Sequence, residues 1–226
     1  FVVVYPTGFE RHWNDCRAAA TYSANLNKID DVGFVRRLIA EMETRYDIDP
    51  EQVFVAGMSN GGHMVYRLAY EAPDLLAGAA VLMANLPVEN NSECKPAGEP
   101  VPIVLLTGTE DAINPYAGGD VVVFGENRGA VQSARASADY WAKLAGYAGA
   151  GERVNRPETD VEDGTAIEIL EWAETDKMPV TLISIVGGGH TFPNPVYSAP
   201  RILGATSHEA DAAELVWAFF ERIVQR

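Results

Sequence analysis

Length, composition and charge exclude several classes of protein. The 226 residues fit one compact domain, residues 1–226, and the 47% hydrophobic and 22% charged residues are typical of globular chains, which excludes a fibrous or disordered protein. The 32 acidic and 17 basic residues give a net charge of −15, which repels phosphate groups, so we expect no nucleic acid partner. Apolar runs are far shorter than the roughly 20 residues that span a bilayer, so we expect no membrane insertion. The oligomeric state stays open.

Apolar runs of strand length alternate with helical patterns along the chain. The runs predict strands at residues 1–5, 52–56, 78–83, 103–106 and 181–186. Amphipathic spacing predicts helices at residues 30–45, 61–70, 130–146 and 206–224, the last opened by Thr206 and Glu209 spaced as a capping box. Residues 146–164 are polar and irregular. This alternation is typical of an α/β fold, a mostly parallel sheet with helices on both faces.

The strongest chemical signal is a G-x-S-x-G pentapeptide. Gly57-Met58-Ser59-Asn60-Gly61 directly follows a predicted strand and directly precedes a predicted helix. A serine on such a sharp turn has its hydroxyl raised above the sheet, and the backbone N–H of the next residue, Asn60, points to the same place as a candidate oxyanion donor. The pattern predicts Ser59 as a nucleophile.

A serine hydroxyl needs a base to remove its proton. His190 lies in the glycine-rich loop after the last predicted strand, where it can reach over the sheet edge. The other histidines, His12, His63 and His208, precede the pentapeptide, lie inside its helix or lie next to a predicted helix cap, and we expect them to be structural or exposed.

The acid that orients the histidine should follow the strand at residues 103–106. Glu110 and Asp111 both lie there, and neighbouring residues at a strand end point to opposite sides, so only one can reach the imidazole. The local pattern alone leaves this choice open. The chain order serine, acid, histidine is that of α/β-hydrolases.

These motifs together resemble the feruloyl esterase and polyhydroxybutyrate depolymerase-like family of secreted esterases. The blocks that carry the resemblance are FVVVYPTG, DDVGFVRRLI, GMSNGG, YRLAYEAPDLLAG, GTEDAINPYAGG, GGGHTFPN and ELVWAFF. The resemblance implies the α/β-hydrolase fold, with Ser59 as nucleophile, Asp111 as acid and His190 as base. Such a mechanism needs no cofactor and no metal.

The two cysteines are too few for a disulfide-built fold and lack the spacing of a zinc site. By themselves, Cys16 and Cys94 are either one bridge or two buried thiols. Their positions after predicted strands, together with the resemblance to secreted relatives, predict a disulfide between them and a secreted or periplasmic location.

The expected partner is a small-molecule or polymeric ester. Trp13, Met58, Tyr116 and Phe192 are candidate substrate-binding residues because they lie near the same sheet edge. Phe192 stands where the family usually has tryptophan, and His63 where it usually has methionine. A phenylalanine in place of tryptophan makes a smaller apolar wall beside the acyl group, which favours short acyl groups. Short-chain, hydroxycinnamoyl-polysaccharide and hydroxyalkanoate esters all remain candidate substrates.

Two other functions share these motifs. A serine peptidase of the prolyl-oligopeptidase type has a similar pentapeptide, and a non-catalytic binding protein can have the same fold.

The resemblance also implies upstream strands and a loop with a second oxyanion donor before Phe1. We therefore expect either that the chain is N-terminally incomplete or that the strands at residues 1–5 and 52–56 pair directly.

Overall fold

The computed structural model describes residues 1–155 and 162–225, and a six-stranded sheet lies at its centre. The strands are β1 Phe54–Met58, β2 Gly78–Leu82, β3 Ile103–Gly108, β4 Gly119–Val123, β5 Glu126–Val131, β6 Glu152–Val154, β7 Ala166–Trp172 and β8 Val180–Val186. The helices are α1 Ser23–Leu26, α2 Asp31–Tyr46, α3 Asn60–Glu71, α4 Ala134–Leu144 and α5 Ala212–Val224. None of these helices is long and apolar enough to span a membrane.

The sheet has the order β1-β2-β3-β8-β7-β6. The first four strands in this order are parallel, whereas β7 and β6 continue the sheet in antiparallel pairs. A separate antiparallel hairpin is formed by β4 and β5. The predicted α/β class, with a mostly parallel sheet and helices on both faces, is confirmed.

Alternation along the buried strands produces two hydrophobic cores. In β3, Ile103 and Leu105 join a core that includes residues of α3 and α4, whereas Val104 and Leu106 join a second core with Phe219 and Phe220 of α5. Both faces of the central strands are therefore covered, which is why these strands read as continuous apolar runs.

Parallel strands place their carboxyl ends at one edge of the sheet. Ser59 follows β1, Asp111 follows β3 and His190 follows β8. Loops at this edge are where α/β proteins usually bind ligands.

The strand predicted at residues 1–5 is wrong. Among the described residues, these five pair with no strand, and they are exposed, with Phe1 97% and Tyr5 91% accessible. A strand needs a hydrogen-bonding partner, and within the described residues β1 pairs with β2 alone. The direct pairing considered between residues 1–5 and 52–56 is therefore not observed.

Two helix boundaries also differ from the predictions. The terminal helix begins after Asp211, whose carboxylate accepts the N–H of Ala213, and not at the proposed capping box. Thr206 instead accepts the N–H of Ala199 through its hydroxyl. Helix α4 begins after Ser133, because residues 126–131 belong to the β5 strand.

The strands β4, β5, β6 and β7 were not predicted. Strand β6 lies inside the stretch expected to be irregular, of which residues 156–161 lie outside the described residues. Strand β7 pairs along its whole length with β8, so that the buried run of β8 has a neighbour on both sides.

Candidate active site

Ser59 occupies a strained turn between β1 and α3. Its φ of 54° and ψ of −119° lie in a region that residues with a Cβ rarely adopt. The turn is held by hydrogen bonds from Ser59 N to Leu82 O, 2.9 Å, and from His63 N to Ser59 O, 2.9 Å. Ser59 is partly exposed, so its hydroxyl at this turn is accessible to a substrate.

Glycine is required at two positions of this turn. A Cβ at position 57 would collide with the carbonyl of Gly61, and a Cβ at position 62 would lie 2.9 Å from the Ala84 side chain. A Cβ at position 61 would meet open space. The close approach of β1 to the first turn of α3 therefore depends on Gly57 and Gly62.

His190 and Asp111 form a buried hydrogen-bonded pair. The distance from His190 Nδ1 to Asp111 Oδ2 is 2.7 Å, and the two side chains are 7% and 1% accessible. Because a carboxylate accepts, Nδ1 is the donor in this hydrogen bond, which leaves Nε2 as the ring nitrogen that can take up a proton from another group. Glu110, the other predicted candidate, is exposed.

Both partners of this pair are fixed by their loops. Asp111 Oδ1 accepts the backbone N–H groups of Ile113 and Asn114, each at 2.8 Å. The backbone N–H of His190 donates to Leu203 O at 2.7 Å. The carboxylate is thus oriented by one oxygen and contacts the imidazole through the other.

The side chain of Asn60 is held by the segment at residues 13–17. Asn60 Nδ2 donates to Trp13 O at 3.0 Å and to Asp15 Oδ2 at 2.7 Å, while Asn60 Oδ1 accepts the N–H of Trp13 at 2.8 Å. These contacts fix the residue whose backbone N–H is the candidate oxyanion donor.

Asp15 is itself part of a fully buried ion pair. Arg17 Nη2 lies 2.6 Å from Asp15 Oδ2, and both side chains are almost completely inaccessible. Burial alone would raise the pKa of Asp15, but the adjacent guanidinium outweighs it and lowers that pKa below its usual value. Between them lies Cys16, which forms the predicted disulfide with Cys94.

His63 is completely enclosed behind the serine turn. Its Nε2 lies 3.1 Å from Asn114 Nδ2, so the amide donates to an unprotonated imidazole nitrogen. Burial lowers the pKa of His63 well below its usual value, and the nearby Arg17 lowers it further against the opposing effect of Asp15. His63 is therefore neutral.

The candidate substrate residues have different surroundings. Trp13 is half-buried, with its ring 6.2 Å from that of Phe34, and Met58 packs against the core beneath α5. Phe192 is 39% exposed two residues after His190. Tyr116 hydrogen bonds through its hydroxyl to Ser184 at 2.7 Å.

Tyr116 lines a cavity that is separate from Ser59, Asp111 and His190. The cavity, of about 250 Å³, is bounded by residues of α4, β6, β7 and β8, and these are Arg135, Arg153, Glu168, Ile169, Leu170, Leu182 and Ser184. Within the described residues, Ser59, Asp111 and His190 are not part of its lining. The same residues contain no cluster of three or more histidine, cysteine or acidic side chains that could hold a metal.

Sequence reasoning did not identify Asp15, Arg17 or Asn114. The buried ion pair flanks Cys16, so opposite charges around a bridging cysteine were the available signal. Asn114, three residues after Asp111, has the spacing of a turn closed by an aspartate side chain.

The mostly parallel sheet with helices on both faces is that of an α/β-hydrolase-like fold, and its carboxyl edge carries the strained serine turn and the acid–histidine pair. Comparison with models of known protein families finds no match. Sequence comparison finds a putative esterase, NocK, of Nocardia uniformis subsp. tsuyamanensis, 30% identical over 81% of this chain and 55% of that protein. Feruloyl esterase B of Piromyces equi is 32% identical over 71% of this chain and 29% of that protein.

A probable feruloyl esterase C of Aspergillus oryzae is 26% identical over 58% of this chain and 44% of that protein. Among solved structures, an acetyl xylan esterase from Aspergillus awamori matches with a TM-score of 0.47 and 16% identity, over 71% of this chain and 62% of that one. The chain spans about half or less of the length of the curated relatives named here. The resemblance is confirmed to this extent: the sequence relatives named here support a feruloyl esterase-like family.

Proposed function

We propose that this chain is a carboxylic ester hydrolase that forms an acyl-enzyme on Ser59. The observation that carries the proposal is the buried 2.7 Å hydrogen bond between His190 and Asp111, at the sheet edge where the strained turn carries Ser59. The relatives named as esterases support the same reaction.

In the first step, His190 Nε2 takes the proton of the Ser59 hydroxyl while the serine oxygen attacks the ester carbonyl. Asp111 stabilises the imidazolium that forms and keeps the proton on Nδ1. The backbone N–H of Asn60 donates to the carbonyl oxygen as it becomes negative, because it is the first residue after the nucleophile. The tetrahedral intermediate then collapses, and the imidazolium returns its proton to the leaving alcohol.

In the second step, a water molecule attacks the acyl group on Ser59. His190 removes a proton from this water, and when the second tetrahedral intermediate collapses the imidazolium returns that proton to the leaving serine oxygen, which releases the carboxylic acid and restores the serine hydroxyl. The residues named supply every proton transfer, and we therefore propose a reaction without cofactor or metal.

We propose acyl esters, small or polymeric, as the substrate class. Phe192 is exposed beside His190, where it can contact an acyl group. A phenyl ring offers less stacking area than an indole, so we expect acetyl and butyryl esters to be hydrolysed at least as well as methyl ferulate. The names of two relatives, feruloyl esterases, make feruloyl esters the natural comparison; hydroxybutyrate oligomers are the third class to be compared.

We also propose an extracellular or periplasmic location. The disulfide between Cys16 and Cys94 is of a kind that persists in oxidising compartments and is rare in the cytosol.

The test is hydrolysis of p-nitrophenyl acetate by the purified protein and by Ser59→Ala. We expect kcat of the variant to fall by at least about 1,000-fold, since removal of the nucleophile alone abolishes the contribution of the whole triad. Ser23→Ala, a half-buried serine at the start of α1, is the matched control and should keep wild-type activity. Hydrolysis that survives Ser59→Ala contradicts the proposal, and cleavage of a peptide anilide but no ester would identify a peptidase instead.

A further inference from the structure

A continuous path of hydrogen bonds joins the serine turn to the acid–histidine pair. His63 N donates to Ser59 O at 2.9 Å, and Asn114 Nδ2 donates to His63 Nε2 at 3.1 Å. Asn114 N then donates to Asp111 Oδ1 at 2.8 Å, and Asp111 Oδ2 accepts from His190. The three candidate catalytic residues are thus connected through two residues, His63 and Asn114, each of which contributes its backbone N–H and its side chain.

From this path we infer that Asn114 and His63 are positioning residues for the proposed reaction, acting together to hold Asp111 against His190. The inference rests on the proposed function. Neither residue is assigned a part in the proton transfers, and each acts through another group.

Asn114 works through its backbone and its side chain at once. The backbone N–H binds the carboxylate, and the amide binds α3, so the turn at residues 111–114 is fixed to the helix that begins directly after Ser59. Asn114 is only 3% exposed, and water therefore has little access to replace its amide contact. The turn is also bound to His190 through Asp111 and to β4 through the hydrogen bond from Val122 N to Ile113 O at 3.3 Å, but among the described residues the Asn114 amide makes its side-chain hydrogen bond to α3.

His63 is suited to this role because its neutral imidazole can accept a hydrogen bond from the amide of Asn114. A protonated imidazole has no lone pair to offer, so the amide of Asn114 could not donate to it. Burial is the largest effect on the pKa of His63; Arg17 and His190 lower that pKa further, and Asp15 alone raises it, so His63 stays uncharged. His63 Nδ1, like Asn114 Oδ1, has no hydrogen-bond partner among the described residues, so the Nε2 contact is the one side-chain hydrogen bond that this imidazole makes there.

A general role in stability would give different results from a positioning role. If the two residues only filled the core, changing them would lower thermal stability and leave kcat per folded molecule unchanged. If they orient Asp111, kcat should fall while KM stays constant, because the imidazolium exists only after the substrate has bound.

The experiment compares His63→Leu, Asn114→Ala and His63→Gln in kcat, KM and the pH profile of acetyl ester hydrolysis. We expect the first two to lower kcat by about tenfold, with KM within about twofold of wild type, since they remove an orienting contact but no reacting group. The acidic limb of their kcat/KM profile should move to lower pH, because a misaligned carboxylate stabilises the imidazolium less. His63→Gln should recover most of the loss, since a glutamine amide can bind Asn114.

Asn27→Ala is the matched control. Asn27 also donates its amide to a carbonyl, Ser23 O at 2.8 Å, but it does so on the exposed surface, and its loss should leave kcat and the pH profile unchanged.

A measurement that does not depend on activity distinguishes the positioning role of Asn114 and His63 from the proposed ester hydrolysis. The proton between His190 Nδ1 and Asp111 should give a low-field NMR signal that is retained in His63→Gln and shifted or lost in His63→Leu. Folded variants with wild-type kcat and an unchanged signal would overturn the positioning role. A wild-type protein that hydrolyses no ester but shows the expected changes in this signal would contradict the proposed function and leave the positioning role supported.

Discussion

Removal of the disulfide between Cys16 and Cys94 is expected to affect both stability and activity. The bridge joins residues 78 positions apart and encloses the segment that contains β1 and α3. In the chain-entropy treatment, a loop of that length stabilises the folded state by about 4 kcal/mol. For a chain of this size that corresponds to a fall of about 8 to 16 °C in Tm.

The effect on activity follows from the neighbours of Cys16. Asp15 binds the side chain of Asn60 at 2.7 Å, and Arg17 completes the buried ion pair at 2.6 Å. A free Cys16 would let this segment shift, and the N–H of Asn60 would lose its fixed orientation. We therefore expect reduction to lower kcat at temperatures where the protein remains folded.

The assay is differential scanning calorimetry and ester hydrolysis of the oxidised protein, the reduced protein and the double variant Cys16→Ser with Cys94→Ser. The reduced protein and the double variant should agree with each other in Tm and kcat, which controls for side effects of the reductant. A Tm that does not change on reduction would refute the reasoning about the bridge. A lower Tm with unchanged kcat would refute the connection to Asn60.

Three further predictions concern single residues. Asp111→Asn should lower kcat by about 10,000-fold and Glu110→Gln by less than about twofold, since only the first binds His190; steady-state kinetics of both would show an error if the losses were equal. Asp15→Asn should destabilise the fold by about 3 to 5 kcal/mol, because Arg17 is left charged and buried, and urea unfolding should detect it; a change below about 1 kcal/mol would mean that water reaches the guanidinium. Phe192→Trp should raise kcat/KM for methyl ferulate relative to butyryl ester by about 2 to 12-fold; an unchanged ratio would place the acyl group elsewhere.

The sequence was most informative where burial is extreme. The runs that became β2, β3 and β8 are covered on both faces, and the resulting uninterrupted apolar pattern identified them to within a few residues. The same pattern misled at residues 1–5, where Val2, Val3 and Val4 have strand-like composition but, in the part of the chain that the structure describes, no neighbouring strand to bind. Composition reports the preference of a segment, and pairing depends on the rest of the sheet.

The positions of Ser59 and His190 at one sheet edge followed from local rules, since each follows a parallel strand. Their assignment as a triad with Asp111, and of Asn60 as oxyanion donor, stays a prediction. The contact between Asn114 and His63 joins residues 51 positions apart on different elements, and no local pattern in either segment indicates it. The position of Tyr116 was equally hidden, because its hydroxyl binds Ser184 of a strand 68 positions later.

The central claim is that Ser59 carries the acyl group during the reaction. The most direct measurement is mass spectrometry of the protein quenched in acid during turnover of p-nitrophenyl acetate, followed by digestion and sequencing of the modified peptide. The mechanism predicts an acetyl group on Ser59 in the wild type, in larger amount in Asp111→Asn if deacylation is slowed more than acylation, and no acetylated peptide in Ser59→Ala. Turnover by the wild type with no acetyl group on Ser59, or with the group on another residue, would contradict it.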